Sequence, residues 1–137
     1  MKVEHVSHIG IGVPNLKEAV RFFEEEIGLK AVGFETVEDQ KATVAFIPCG
    51  DARLELLEST SPDGPIGKAV EKAGGKSVIH HVALEVDDVA GALAELKEKG
   101  VRLIDEKPRK GAGGAMIAFI HPKATGGILL ELCHEEE

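Results

Sequence analysis

Apolar residues alternate with small or polar ones near the start of the chain: Ile9, Ile11 and Val13 interleave with His8, Gly10 and Gly12, the period of a strand with one buried face. The period then lengthens. Leu16, Val20, Phe23 and Ile27 recur at helical spacing behind Asn15, an N-cap type with Glu18 three residues on, and Gly28 supplies the stop. The same succession returns later. Val82, Leu84 and Val86 form a strand pattern, Asp87 or Asp88 caps a helix carrying Val89, Leu93 and Leu96, and Gly100 ends it. Set side by side, HIGIGVPNLKEAV (8–20) and HVALEVDDVAGAL (81–93) match in pattern without a gap.

Short β-like runs follow each helix, at 31–37, 42–47 and 53–58 in the first half and at 102–104, 115–120 and 128–134 in the second. Each half therefore reads βαβββ, with a short helix at 66–73 between them, opened by Pro65 and ended by Gly74 and Gly75. One such unit buries its sheet face poorly alone, so two should pair. The expected fold is α+β: a single domain of two paired βαβββ modules, about 1–75 and about 76–137, whose curved mixed sheet surrounds a central site.

Strand parity says what can face that site. Ile9, Ile11 and Val13 belong to the helix-packing face, which turns His8 to the other; Val82, Leu84 and Val86 do the same for His81 and leave His80 on the apolar side. In RLELL (53–57) and LLELC (129–133), leucines flank Glu55 and Glu131, so both carboxylates share the face of the histidines. Two imidazoles and two carboxylates related by a repeat suit a divalent first-row metal such as Co²⁺, Mn²⁺, Ni²⁺, Fe²⁺ or Zn²⁺, and His8, Glu55, His81 and Glu131 are the expected ligands. Unpaired, such groups would be costly to bury.

Composition narrows the function classes. The 137 residues suffice for one core without disulfides, and Cys49 and Cys133 form no CxxC pair and read as free thiols. A formal net charge of −8 disfavours nucleic acid and anionic membrane as partners. No segment approaches the ~20 apolar residues of a membrane span, and the start of the chain lacks a signal-peptide core, so a cytoplasmic location is expected. The one basic cluster, KPRK (107–110), runs into GAGG (111–114); it reads as a solvated turn, with phosphate binding as the alternative.

With these motifs in place the sequence resembles the vicinal-oxygen-chelate superfamily, and within it the methylmalonyl-CoA epimerase family. The resemblance runs from HIGIGVPNL through SPDGPI (61–66) and HHVALEVDD to HPKATGGILLEL (121–132), of which the last is the most specific. It implies an isomerase that epimerises methylmalonyl-CoA as a homodimer around a divalent ion, Co²⁺ ahead of Mn²⁺, Ni²⁺ or Zn²⁺. The ion would stabilise the enolate left when the α-proton departs. Glu131 and Glu55, on opposite sides of the substrate, would move that proton. For the coenzyme A part, Lys123 and then Lys110 are the implied contacts, with Lys107 and Arg109 weaker, whereas His121 is at least as well suited to fixing its own turn. Some family members instead carry Gln at the position of Glu55 and a separate catalytic Glu on the preceding strand. Here that strand, ATVAFI (42–47), has no acid, and Thr43 stands at the matching place.

Three other readings share the fold. Glyoxalase I uses the same metal chemistry, but its glutathione site would need Arg and Asn contacts, and the only Asn is Asn15. An extradiol dioxygenase would bring a tyrosine, and the chain has none. A metal-free binding module would present aromatics to its ligand; there are five Phe and no Trp or Tyr, and the acidic and imidazole set would have no purpose.

Overall fold

The computed structural model describes residues 1–135. Strand β1 (Val3–Gly12) leads into helix α1 (Leu16–Arg21), followed by β2 (Gly33–Val37), β3 (Ala42–Cys49), β4 (Ala52–Ser59) and helix α2 (Pro65–Lys72). The pattern then repeats as β5 (Val78–Val86), α3 (Val89–Glu98), β6 (Arg109–Lys110), β7 (Met116–Ile120), a short helix α4 (Pro122–Thr125) and β8 (Leu130–His134). The fold is α+β, with the hydrogen-bonded strand order β2-β3-β4-β1-β5-β8-β7-β6. The sheet is mixed: β1/β4 and β5/β8 are parallel, and β2/β3, β3/β4, β6/β7 and β7/β8 antiparallel. No helix among the described residues is long and apolar enough to cross a membrane.

Two compact units divide the chain: residues 8–80, and residues 1–7 with 81–137. In the first, Ile11, Val13, Leu54 and Leu56 pack with Leu16 and Val20 of α1, the helix-facing parity expected of them. In the second, Leu84, Val86, Leu130 and Leu132 pack with Val89, Ala92 and Leu93 of α3. Across the sheet in the first unit, α2 lies close to β1 at Gly12, where an added Cβ would stand 3.4 Å from both Ile66 and Val70. In the second unit that opposite face is lined by Ala83, Ile117, Phe119 and Cys133.

Local chemistry sets the helix ends. The side chain of Asn15 accepts from the Glu18 N–H at 3.0 Å, and that of Asp88, rather than Asp87, accepts from Gly91 at 3.1 Å, each satisfying a backbone donor left over at a helix start. The Leu16 N–H is taken by Glu58 on β4 at 2.7 Å, a tie that no local pattern announces. The helical spacing through Ile27 is real, but residues Phe22–Ile27 form a wider π-helical turn that closes on Gly28 at φ 87°. A side chain there would be strained.

The second module departs from expectation after α3. Instead of a strand at 102–104 there is one bridge, Leu103 to Ile120, before β6 begins at Arg109. Asp105 is the cause: its carboxylate accepts the Phe119 N–H at 2.8 Å, so a side chain fills the place that a neighbouring strand's carbonyl would take.

Candidate functional site

In the first unit, His8 on β1 and Glu55 on β4 are buried, at 4% and 3% exposure, on the face away from α1. The parallel register sets Gly10 beside Glu55, so no side chain crowds the carboxylate, and His8 Nδ1 stands 3.4 Å from Glu55 Oε2. Phe46 of β3 lies directly across from Glu55. Arg53, two residues back on the same face, places both Nε and Nη2 at 2.8 Å from Glu55 Oε2, with its guanidinium 5.9 Å from the Phe46 ring.

The second unit rebuilds this plan. His81 and Glu131 are buried to 4% and 3%, Ala83 sits beside Glu131, and Phe119 of β7 lies across from it. His81 Nε2 stands 3.5 Å from Glu131 Oε1, and its ring meets Phe119 edge-on at 5.7 Å. The position corresponding to Arg53 is Leu129. An arginine is nevertheless present: Arg109 of β6 lies 5.5 Å from the Phe119 ring, with its Nε on Asp105 Oδ1 at 3.2 Å.

Each imidazole–carboxylate pair fits the demands of a divalent ion. Two donors about 2.1 Å from one ion, at octahedral to tetrahedral angles, lie about 3.0–3.4 Å apart; the N···O separations of 3.4 and 3.5 Å lie at and just above the upper end of that range. The donors are the oxygen and nitrogen types that first-row metals take, and both pairs are shielded from water. These His and Glu side chains can therefore hold a metal.

The coenzyme A candidates are less defined. Lys107, Lys110 and Lys123 are exposed, and Arg109 is engaged with Asp105. His121 fixes its own turn: its Nδ1 accepts from the Lys123 N–H at 3.0 Å and so caps α4. Burial, with Arg102 and Lys123 nearby, lowers the His121 pKa and favours the neutral ring that can accept. His80, on the opposite parity from His81, is likewise lowered by burial.

Thr43, which the resemblance matches to an acid, lies on the other face of β3 from Glu55. It shares parity with Ala45 and Ile47 on the helix-packing face and its hydroxyl pairs with Thr36 at 3.1 Å, so it does not stand in for an acid beside Glu55. The β3 positions that share the face of Glu55 are Val44 and Phe46, both apolar.

Sequence reasoning also passed over some residues. Arg53 was signalled by the same parity that selected Glu55. Glu85, on the face of His81, is buried in a polar cluster, its Oε2 2.9 Å from His134 Nδ1 and its Oε1 3.9 Å from Cys133 Sγ. Burial, reinforced by Glu131 and Glu85 and opposed by a hydrogen bond with Ser7, pushes the Cys133 thiol up to about 12.

Residues 7–119 match the model of the glyoxalase/bleomycin resistance protein/dioxygenase superfamily. An uncharacterized Bacillus subtilis protein, YqjC, is 42% identical over 131 residues, covering 96% of this chain and 92% of its own. The ethylmalonyl-CoA/methylmalonyl-CoA epimerase of Cereibacter sphaeroides is 35% identical over 133 residues, covering 95% of this chain and 97% of the relative. A variant of Streptomyces coelicolor methylmalonyl-CoA epimerase, solved in complex with 2-nitronate-propionyl-CoA, superposes with a TM-score of 0.90 at 33% identity, covering 98% of this chain and 96% of the other.

Proposed function

The chain belongs to the glyoxalase/bleomycin resistance protein/dioxygenase superfamily, and we propose that within it the protein is an epimerase of methylmalonyl-CoA. The observation that carries this reading is the repeated buried pair, His8 with Glu55 and His81 with Glu131, each at ligand spacing on the same face of its own βαβββ module. Relatives named for methylmalonyl-CoA over nearly the full chain support that substrate. In this reading the four residues hold one divalent ion, Co²⁺ ahead of Mn²⁺, Ni²⁺ or Zn²⁺.

Bound there, the ion would withdraw charge from the thioester and carboxylate oxygens and so acidify the C–H between them. The protein does the rest. Inverting one carbon requires a proton to leave from one face and return on the other. Glu131 and Glu55, the two carboxylates that the duplication supplies, take these roles, since Val44 and Phe46 put no other acid on that face of β3. Gly10 and Ala83 leave space beside them. Lys123 and Lys110 reach the phosphates of coenzyme A, and the protein works as a homodimer in the cytoplasm.

The test is exchange. Purified protein with its bound metal quantified is incubated with methylmalonyl-CoA in D₂O, and loss of the α-proton signal is followed by NMR. Exchange at both epimers is expected. Metal-loaded protein that exchanges neither, yet converts the glutathione hemithioacetal of methylglyoxal, would replace this reading with a glyoxalase.

A further inference from the structure

Phe119 on β7 adjoins two of the candidate ligands: it pairs across the ladder with Glu131, and its ring meets that of His81 at 86° with centroids 5.7 Å apart. Residues before β6 fasten its backbone. The Phe119 N–H donates to Asp105 Oδ2 at 2.8 Å, and its carbonyl accepts from the N–H groups of Ile104 at 3.0 Å and Asp105 at 3.2 Å. Because both main-chain groups turn away from β8, Phe119 and Glu131 form a non-hydrogen-bonded pair, the kind whose side chains stand closer. Arg109 then covers the ring. It sits opposite Ile117, one diagonal step from Phe119, and its guanidinium lies 5.5 Å from the ring centroid while Asp105 Oδ1 takes its Nε at 3.2 Å. One aspartate thus grips both the backbone of Phe119 and the cation on its ring. The first module has a similar pair, Arg53 over Phe46 at 5.9 Å, but there the arginine comes from the strand that carries the glutamate. Leu129 occupies the corresponding place in the second module, so duplication alone does not supply Arg109.

We propose that Asp105 and Arg109 are positioning residues that clamp Phe119 and, through its ring, fix the plane of the His81 imidazole. A fixed aromatic ring packed at right angles to the imidazole resists rotation about the last torsion of the histidine side chain. That torsion sets where Nε2, 3.5 Å from Glu131 Oε1, directs its lone pair or proton. Groups that orient a metal ligand from outside the coordination sphere commonly account for about 10–100-fold in affinity. The inference rests on the metal-binding part of the epimerase reading for this consequence in affinity, and not for the clamp itself.

The clamp is read first without metal. In ¹H–¹³C spectra of the metal-free protein, the ring current of Phe119 should displace the His81 Hδ2 and Hε1 signals from those of exposed His5, and Phe119→Leu should abolish that displacement. Arg109→Met and Asp105→Ala leave both rings in place and should each shift the His81 signals. Arg109→Lys, which keeps a cation able to lie over the ring, should return them toward their unaltered positions. In Co²⁺ titrations Arg109→Met should weaken binding about tenfold and alter the visible absorption, which reports ligand geometry, with Arg109→Lys recovering most of the loss. Thermal midpoints confirm that the variants fold, and Arg109, with its side chain 36% exposed, is open to substitution. His81 signals that stay fixed in Arg109→Met and Asp105→Ala while the midpoints fall would reduce both residues to a structural role and overturn the inference. Unaltered protein that binds no Co²⁺ would defeat the metal reading, and the metal-free spectra would still decide the clamp.

Discussion

Replacing Glu55 by glutamine should reveal its pairing with Arg53 as a loss of stability that depends on the arginine. Glu55 is 3% exposed, and one of its oxygens receives two 2.8 Å contacts from Arg53, whose side chain is 18% exposed. Removing one member of a buried ion pair costs about 3–5 kcal/mol. Two features reduce that here: glutamine keeps a carbonyl oxygen that can accept, and the partly exposed guanidinium recovers some hydration. About 2 kcal/mol remains for Glu55→Gln. In an Arg53→Leu background that pairing is already gone, so the same substitution should cost about 1 kcal/mol or less. A chain of this size loses about 4 °C per kcal/mol, giving an expected gap of about 4–6 °C in midpoint. Urea and thermal unfolding of the metal-free variants, with chelator present and unchanged m values, measure it. Equal losses with and without Arg53 would refute the claim that Arg53 holds Glu55 strongly.

Other outcomes follow from the same structure. Asp88→Ala leaves the Gly91 N–H without its acceptor at the start of α3 and should cost about 1 kcal/mol by urea titration, an amount Asp88→Asn should largely restore. Iodoacetamide at pH 8 should label exposed Cys49 alone in the native protein and both cysteines in denaturant, read by intact mass, because Cys133 is buried and its thiol lies near 12. His80 and His121 both have pKa values lowered from 6.5 in the folded state, so the unfolded chain takes up protons first. Their contribution is present above pH 6.5 and declines as pH falls below it; His80→Gln should flatten the decline of thermal midpoint between pH 7.5 and 5.5.

Much of this arrangement is legible in the sequence because repetition and parity are local. The helix stripes, the caps at Asn15 and at Asp87 or Asp88, and the L-E-L of each last strand are read from neighbours a few residues apart, and the histidines fall on the same face as the glutamates by alternation alone. Parity applied to RLELL would also have placed Arg53 beside Glu55. What escapes depends on contacts between distant segments. The ladder at 102–104 fails because Asp105 competes for the Phe119 N–H, and α1 is tied down by Glu58 from another strand. Thr43 is placed by a motif, and the pairing of Phe46 with Glu55 turns it to the opposite face of β3. The link between Glu85 and His134 joins residues that no pattern of period two or 3.6 connects.

The repeat seen in the sequence and the division seen in the fold do not share a boundary. Residues 1–7 belong with 81–137, and Lys2 exchanges hydrogen bonds with Asp87, its N–H to the carboxylate and its carbonyl to the backbone N–H, both at 3.2 Å. During synthesis, the opening half of β1 therefore precedes its compact unit by more than seventy residues and packs only after residue 81 and beyond have been made. A chain reordered to start at His81 and continue from residue 137 into Met1 would make each unit contiguous. In the natural order, residues 1–7 must wait for a unit encoded beyond residue 80.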